Sequence, residues 1–300
     1  MTTAAVRISP VSTAWALVVA ARPKQWVKNL LVYAAPLAAG MLGQQEVREN
    51  ATLAFVAFVL ASSGCYLIND VIDVEGDRLH PHKRMRPIAS GRLSVRTALI
   101  AAAVLLAATI PLTLATDHIS TMLVVLAYIG SVLLYAVWLK RVPGIELLVL
   151  AAGFVLRPLA GSAATGVDPS GWFLLFCALA ALTIAIGKRQ AELARLSGHA
   201  TAHRSALRGY SLSGLSHAHR LTGLGMVVIY ALWGISRPAG QERLFAILTV
   251  VPVAIAVIRL GRLNDGGDGD APETLLFADP WLLLSCVAWL ALFVAGVTHA

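Results

Sequence analysis

The chain has 300 residues, of which 58% are apolar and only 13% are Asp, Glu, Lys or Arg, with a mean hydropathy of +0.74. That leaves too little polar surface for a water-soluble globule, and the net charge of +8 calls for no nucleic acid partner, because a membrane protein that keeps its Lys and Arg on the cytoplasmic side is basic for topological reasons. Solid runs of Leu, Ala and Val exclude the alternating pattern of a barrel, and no polar segment is long enough for a soluble domain, so one all-α, polytopic membrane domain is expected over 1–300.

In chain order, Val11 to Ala21 imitates the core of a signal peptide, but Ser12 and Thr13 interrupt it and only Arg7 precedes it. An interfacial helix over 11–21 is expected instead, followed by the basic, aromatic stretch Arg22-Pro23-Lys24-Gln25-Trp26-Val27-Lys28-Asn29. On an entering helix, Lys24, Gln25, Lys28 and Asn29 fall on one side. Spans are expected near 28–43, 52–71, 95–115, 119–139, 144–163, 171–188, 218–236, 243–260 and 279–298. With that count, one face holds 20 of the 24 Lys and Arg, and only Arg48, Arg237 and Arg243 lie on the other. The rich face is therefore cytoplasmic, which puts the N-terminus inside, the C-terminus outside and the protein in the plasma (inner) membrane. Cys65, Cys177 and Cys286 lie in or beside apolar runs without metal-ligand spacing and are read as reduced packing residues.

The chemistry gathers after the second span, in Asn69-Asp70-Val71-Ile72-Asp73-Val74-Glu75-Gly76-Asp77. On a continuing helix Asp70, Asp73 and Asp77 stand at i, i+3 and i+7, one face. Three stacked carboxylates beside a low-dielectric medium need a counter-charge, and hard oxygen ligands suit Mg²⁺, which binds through a few carboxylates and substrate phosphates. The plainer alternative, a solvated acidic helix end, runs against the helix dipole. His80-Pro81 then ends the helix, and Lys83, Arg84 and Arg86 follow within four residues. Alone, such a stretch would read as a contact with anionic lipid; beside a metal-binding face it reads as a clamp for a diphosphate leaving group. The 72–94 loop is thus the expected cytoplasmic catalytic loop.

The pattern N-D-x-x-D-x-x-x-D, eight residues, then R-P-x-x-x-G, standing as Asn69 to Asp77, Arg86-Pro87 and Gly91, resembles the first signature of the UbiA-type intramembrane prenyltransferases. The resemblance implies nine transmembrane helices around a lateral, lipid-open cavity with its active site on the cytoplasmic side. Tyr135 and Lys140 resemble the family's tyrosine and lysine element, at one residue more than the usual spacing. Ordinary members carry a second D-x-x-x-D motif after the sixth span, but this chain has Gly187-Lys188-Arg189-Gln190-Ala191-Glu192 there. Cations in place of carboxylates suggest a donor with an additional phosphate or an acceptor that is itself a phosphate.

These departures, with the 22–29 segment and the Gly/Asp/Glu-rich stretch over 265–273, resemble the family's phosphoribosyltransferase branch. That resemblance implies transfer of 5-phosphoribosyl from phosphoribosyl pyrophosphate to a polyprenyl (decaprenyl) phosphate, with release of diphosphate, for cell-wall arabinan. Mg²⁺ would sit on Asp70, Asp73 and Asp77, with Asn69 as a hydrogen-bonding neighbour of the reacting centre and Asp73 and Asp77 essential to catalysis. Lys83, Arg86, Lys188 and Arg189 would take phosphates, and Glu192 would take ribose hydroxyls or orient Lys188. Lys24, Gln25, Lys28 and Asn29 either reach the 5-phosphate or anchor the chain at the membrane surface. Arg157, inside the fifth span, either faces a cavity or snorkels to an interface. The Asn264–Asp270 stretch fails the calcium-loop spacing and reads as a loop or lid. His199, His203, His217 and His219 read as solvated residues of the cytoplasmic 189–217 connection and its end. A homo-oligomer stays open.

Two other functions share some of these features. A secondary transporter would show an inverted repeat, which this sequence lacks. A conventional prenyltransferase, moving a polyprenyl group from its diphosphate to an aromatic acceptor, shares the first motif, and the Lys188 to Glu192 segment argues against it.

Overall fold

The computed structural model describes residues 10–195, 209–266, 275 and 278–298. Among these, every regular element is a helix: α1 (Pro10–Ala20), a 3-10 helix (Pro23–Tyr33), α2 (Ala34–Ala38), α3 (Gln45–Ile72), α4 (Val74–Leu79), α5 (Val95–Leu114), α6 (Ile119–Val137), α7 (Ile145–Thr165), α8 (Gly171–Arg195), α9 (Leu212–Ser236), α10 (Gln241–Leu248), α11 (Val250–Asp265) and α12 (Pro280–Thr298), with single 3-10 turns at Lys83–Met85 and Leu139–Arg141. The described residues fall into two compact units, one within 1–36, 42–137 and 156–167, the other within 37–41, 138–155 and 168–300.

In the first unit, α3 is the spine. Its buried positions Val47, Ala51, Ala54, Phe58, Ala61 and Cys65 recur every three or four residues, and most are small, which lets neighbouring helices approach closely. Val32, Val125, Tyr128, Ala160 and Ala164 close one core against α3, and Ala16, Ala20, Ile88, Leu93, Ala98 and Ala102 close a second around Leu67. In the second unit, Leu147, Ala185, Ile186 and Leu215 pack together, as do Met226, Tyr230 and Val253. There the Trp289 indole donates to the Tyr230 hydroxyl at 2.8 Å, and Tyr230 donates to Thr249 at 3.0 Å. α10 and α11 part at Thr249 because Pro252 has no N–H to give the Leu248 carbonyl.

Seven segments are long and apolar enough to cross a membrane: α3, α5, α6, α7, Gly171–Ala194 of α8, α9, and Gln241–Asp265, which α10 and α11 share. Seven of the nine expected spans thus have a counterpart of full length among the described residues. The last has the shorter apolar stretch Pro280–Gly296 of α12. The first, 28–43, is not an α-helix: the chain runs as a 3-10 helix over Pro23–Tyr33 and then as the five residues of α2. Three residues per turn make side chains at i and i+3 eclipse. Trp26, Asn29 and Val32 accordingly share the inner edge, while Lys24, Val27 and Leu30 are exposed. This corrects the expectation that Lys24, Gln25, Lys28 and Asn29 share one side.

His217 and His219 are also placed differently from the sequence reading. Ser211 caps α9 by accepting the Gly214 N–H at 3.0 Å, so both lie on a helix, and His219 is buried with Nδ1 donating to the Thr183 carbonyl at 3.1 Å. His199, His203 and residues 267–274 of the acidic stretch lie outside the described residues. All three cysteines are unpaired thiols.

Candidate active site

The acidic motif is built at a break between two helices. α3 ends at Ile72, α4 begins at Val74, and Asp73 between them has φ −91° and ψ 3°, with its N–H still bonded to the Asn69 carbonyl at 3.0 Å. Val71, Ile72, Asp73 and Val74 are all weak helix formers, so the interruption falls where propensity is lowest. The three aspartates therefore do not form the continuous i, i+3, i+7 face expected on one helix. Asp70 and Asp77 turn inward and are 3% and 4% exposed. Asp73 is half-buried and accepts from the Asn69 amide at 3.3 Å.

Arg86 brings the two buried carboxylates together. One nitrogen, Nη1, donates to Asp70 Oδ1 at 3.1 Å and to Asp77 Oδ2 at 2.7 Å. The R-P-x-x-x-G pattern explains how Arg86 reaches this point. Pro87 forbids helical geometry at the residue before it, and Arg86 is extended at φ −59°, ψ 146°. Gly91, at φ +78°, makes the left-handed turn that returns the chain to the Ser94 cap of α5, which accepts from the Thr97 N–H at 3.0 Å. Lys83 stands exposed on the turn before Arg86.

A second cation was not singled out in the sequence. Arg22 Nη2 donates to Asp70 Oδ1 at 2.5 Å, and its guanidinium lies 4.8 Å from the centre of the Tyr66 ring. Its backbone is left-handed (φ 56°, ψ 63°), which costs about 1–2 kcal/mol for a residue with a Cβ. The 3-10 helix holds it there through a ladder on α3: Trp26 Nε1 donates to Ser63 at 3.1 Å and the Asn29 amide to Ser62 at 3.2 Å. The available signal was the basic stretch itself; its partner is 48 residues away in sequence. Lys24 is exposed, and Gln25 and Lys28 are half-buried along the same segment.

Asn29 is fully buried, and its Oδ1 accepts from Arg157 Nε at 2.9 Å. Arg157 also donates to the Tyr128 hydroxyl at 3.3 Å and lies 5.0 Å from that ring's centre. At 5% exposure it is enclosed in the first unit rather than snorkelling. Tyr135 sits near the end of α6, and Lys140 on the 3-10 turn Leu139–Arg141.

In the second unit, Lys188 is half-buried on α8, but Arg189 is 2% exposed. Arg189 Nε donates to Glu146 Oε1 at 2.8 Å, and Nη1 pairs with Glu192. Glu146, at the start of α7, is a further residue the sequence reading passed over. Its signal was a carboxylate, Ile145-Glu146-Leu147, opening a helix whose other charged residue is Arg157. Gln190 donates to Asp265 Oδ1 at 2.6 Å. Arg189→Ala is therefore expected to act first on stability. It leaves Glu146 charged and buried, at a cost of about 3–5 kcal/mol, read as a lowered midpoint of thermal unfolding in detergent. Glu146→Leu with Arg189→Met should recover most of that midpoint, and an Arg189→Ala protein as stable as the wild type would contradict this account.

The donor set at Asp70 and Asp77 suits a hard divalent cation. Two carboxylates from successive helices converge on one cationic nitrogen, so the position already favours positive charge. Among the described residues no three His, Cys, Asp or Glu side chains form a closed metal cage. Mg²⁺ commonly takes one or two carboxylates and completes its shell with water and substrate phosphate, so the residues present fit it.

Comparison with known proteins is consistent with this geometry. Residues 9–285 match the UbiA prenyltransferase family. The chain is 38% identical to the decaprenyl-phosphate phosphoribosyltransferase of Corynebacterium glutamicum, covering 97% of this chain and 89% of that protein. It is 37% identical to the enzyme of the same name from Mycobacterium tuberculosis, covering 96% of each. In fold it is similar to a UbiA homologue of Archaeoglobus fulgidus bound to GPP and Mg²⁺, with a TM-score of 0.73, 19% identity, and 94% of this chain and 99% of that one covered.

Proposed function

The chain belongs to the UbiA prenyltransferase family, and from that premise we propose that it transfers 5-phosphoribosyl from phosphoribosyl pyrophosphate to a polyprenyl phosphate such as decaprenyl phosphate. The observation that carries this reading is the pairing of Asp70 and Asp77 through Arg86 in a chain that matches named phosphoribosyltransferases over nearly its whole length. The lipid product would supply cell-wall arabinan synthesis.

In the reaction, the bond from ribose C1 to the diphosphate oxygen breaks and the diphosphate leaves with the electron pair. An oxygen of the lipid phosphate forms the new bond to C1. Asp70 and Asp77 would hold Mg²⁺, with the Asp73 carboxylate adding negative charge beside them, and the bound ion would neutralise the leaving diphosphate. Arg86 and Lys83 bind the diphosphate oxygens, and Arg86 supplies the charge-assisted bonds that orient it. Asn69 holds the Asp73 carboxylate in place. No strong general base is needed, since a phosphate monoester is largely ionised near neutral pH.

The test is incubation of membranes containing the protein with radiolabelled phosphoribosyl pyrophosphate and polyprenyl phosphates of several lengths. Label should pass to the lipid extract, and excess chelator should prevent it. Lipid label arising instead from a polyprenyl diphosphate and an aromatic acceptor would replace this reading with that of a conventional prenyltransferase.

The donor is highly charged and cytoplasmic, so the 72–94 loop must face inward. At about 2 Å per residue for the 3-10 helix and 1.5 Å for α2, the two together reach about 30 Å, enough for one crossing. With α12 and the seven longer segments, the described residues then supply nine crossings. Ser90 and Ser120 are both exposed. A cysteine at Ser90 should react with an impermeant thiol reagent only in inverted vesicles, and one at Ser120 from outside intact cells. Labelling at Ser90 from outside would overturn both the crossing count and the donor.

A further inference from the structure

Asp70 and Asp77 carry two negative charges, and Arg22 and Arg86 meet them with two positive ones. Among these four groups the charges balance. Asp70 Oδ1 accepts from both guanidinium groups, at 2.5 and 3.1 Å. A divalent cation that takes this oxygen must therefore displace both arginines. Arriving alone, it would take Asp70 from Arg22, reduce Arg86 to its bond with Asp77 and add two further positive charges beside a low-dielectric interior. Arriving with a diphosphate, it brings the acceptors with it, and guanidinium groups pair with phosphate oxygens at least as well as with carboxylates.

Resting on the metal reading given under Proposed function, we propose that Arg22 is a further donor-binding residue, and that Arg22 and Arg86 exchange Asp70 and Asp77 for the phosphate oxygens of the donor when metal and diphosphate enter together. Arg22 is suited to such an exchange. Its side chain is about a quarter exposed where that of Asp70 is 3% exposed. Its guanidinium lies against the Tyr66 ring, so it keeps one favourable contact while changing its anionic partner. Its left-handed backbone, fixed by the Trp26–Ser63 and Asn29–Ser62 bonds, sets the height from which the side chain swings. The exchange couples metal binding to the diphosphate, so the site takes metal alone only weakly.

Mn²⁺ binding, read from the electron paramagnetic resonance signal of the free ion, tests this with the full chain in nanodiscs and no donor present. Arg22→Gln and Arg86→Gln are expected to bind Mn²⁺ alone about tenfold more tightly than the wild type, the worth of one charge-assisted bond. Arg22→Lys keeps the charge and should bind as the wild type does. In the transfer assay, Arg22→Gln should raise the donor KM about tenfold and leave the lipid KM unchanged. Circular dichroism establishes that each variant is folded, and Arg86→Gln carries the test if Arg22→Gln is not. Unchanged or weaker Mn²⁺ binding in the folded Gln variants, or an unchanged donor KM, overturns the exchange. Asp70→Asn separates the two layers of the argument. If it abolishes Mn²⁺ binding while the Gln variants gain none, only the exchange falls. If it binds Mn²⁺ like the wild type, the metal assignment falls and the exchange with it.

Discussion

Asp73→Asn is expected to reduce transfer by about a hundredfold or more while leaving the protein folded. The three aspartates differ in what else they do. Asp70 and Asp77 are buried and paired with arginines, so Asn at either position removes a counter-charge as well as a ligand. For Asp77 the loss is moderated, because the Arg86 side chain is 27% exposed and water can take over part of the charge; about 1–2 kcal/mol is expected. Asp73 is only half-buried, at the break between α3 and α4, where solvent reaches its carboxylate. Replacing its carboxylate with an amide keeps the size and removes the charge that the metal and its diphosphate would meet. Activity should therefore fall with little change in the unfolding midpoint for Asp73→Asn, and fall with a lowered midpoint for Asp77→Asn. Full activity of Asp73→Asn, or transfer that survives excess chelator, would remove the metal from the reaction.

The sequence was most legible where composition alone decides. Stretches of eighteen residues that are apolar on average identify α3, α5 to α9 and the α10–α11 pair, since a bilayer asks only for length and hydrophobicity. The first segment was misread because an eleven-residue 3-10 helix is rare, yet the three-residue spacing of Trp26, Asn29 and Val32 carries its period. The acidic motif and Arg86-Pro87 could be found because they lie within one short stretch. Arg22 and Glu146 stood out only as charges at the edges of apolar segments, because their partners lie 48 and 43 residues away and a contact of that kind has no local signature. The pairing of Arg189 with Glu146 and Glu192 was hidden for the same reason, although its position in the motif drew attention to it. His219 was assigned to a loop because the helix cap, Ser211, stands eight residues before it, in a polar stretch without apolar periodicity.

Gly161→Ala is expected to be the most destabilising single-methyl substitution in the first unit. A Cβ at Gly161 would stand 1.7 Å from the Val32 carbonyl oxygen and 2.7 Å from its carbon. These are backbone atoms of the 3-10 helix, so no rotamer change relieves the clash; the whole segment must move away from α7. Val32 is fully buried in the core formed with Ala54, Phe58 and Ala160, and Asn29, one 3-10 turn earlier, holds Arg157 at 2.9 Å. Displacing the segment therefore opens the core and loosens the bond to a buried guanidinium together. Overpacking of this kind costs about 1–3 kcal/mol, and a rigid backbone obstacle puts it at about 3 or above. Gly64→Ala is the graded comparison, since its Cβ would meet Leu106 Cγ at 2.9 Å, a side chain able to turn aside. Gly130→Ala is the control, with nothing within 4 Å and a better helix former gained. Thermal unfolding in detergent should rank the midpoints Gly130→Ala, then Gly64→Ala, then Gly161→Ala well below both. A Gly161→Ala midpoint equal to that of Gly130→Ala would mean that the 3-10 segment does not pack against α7 as described.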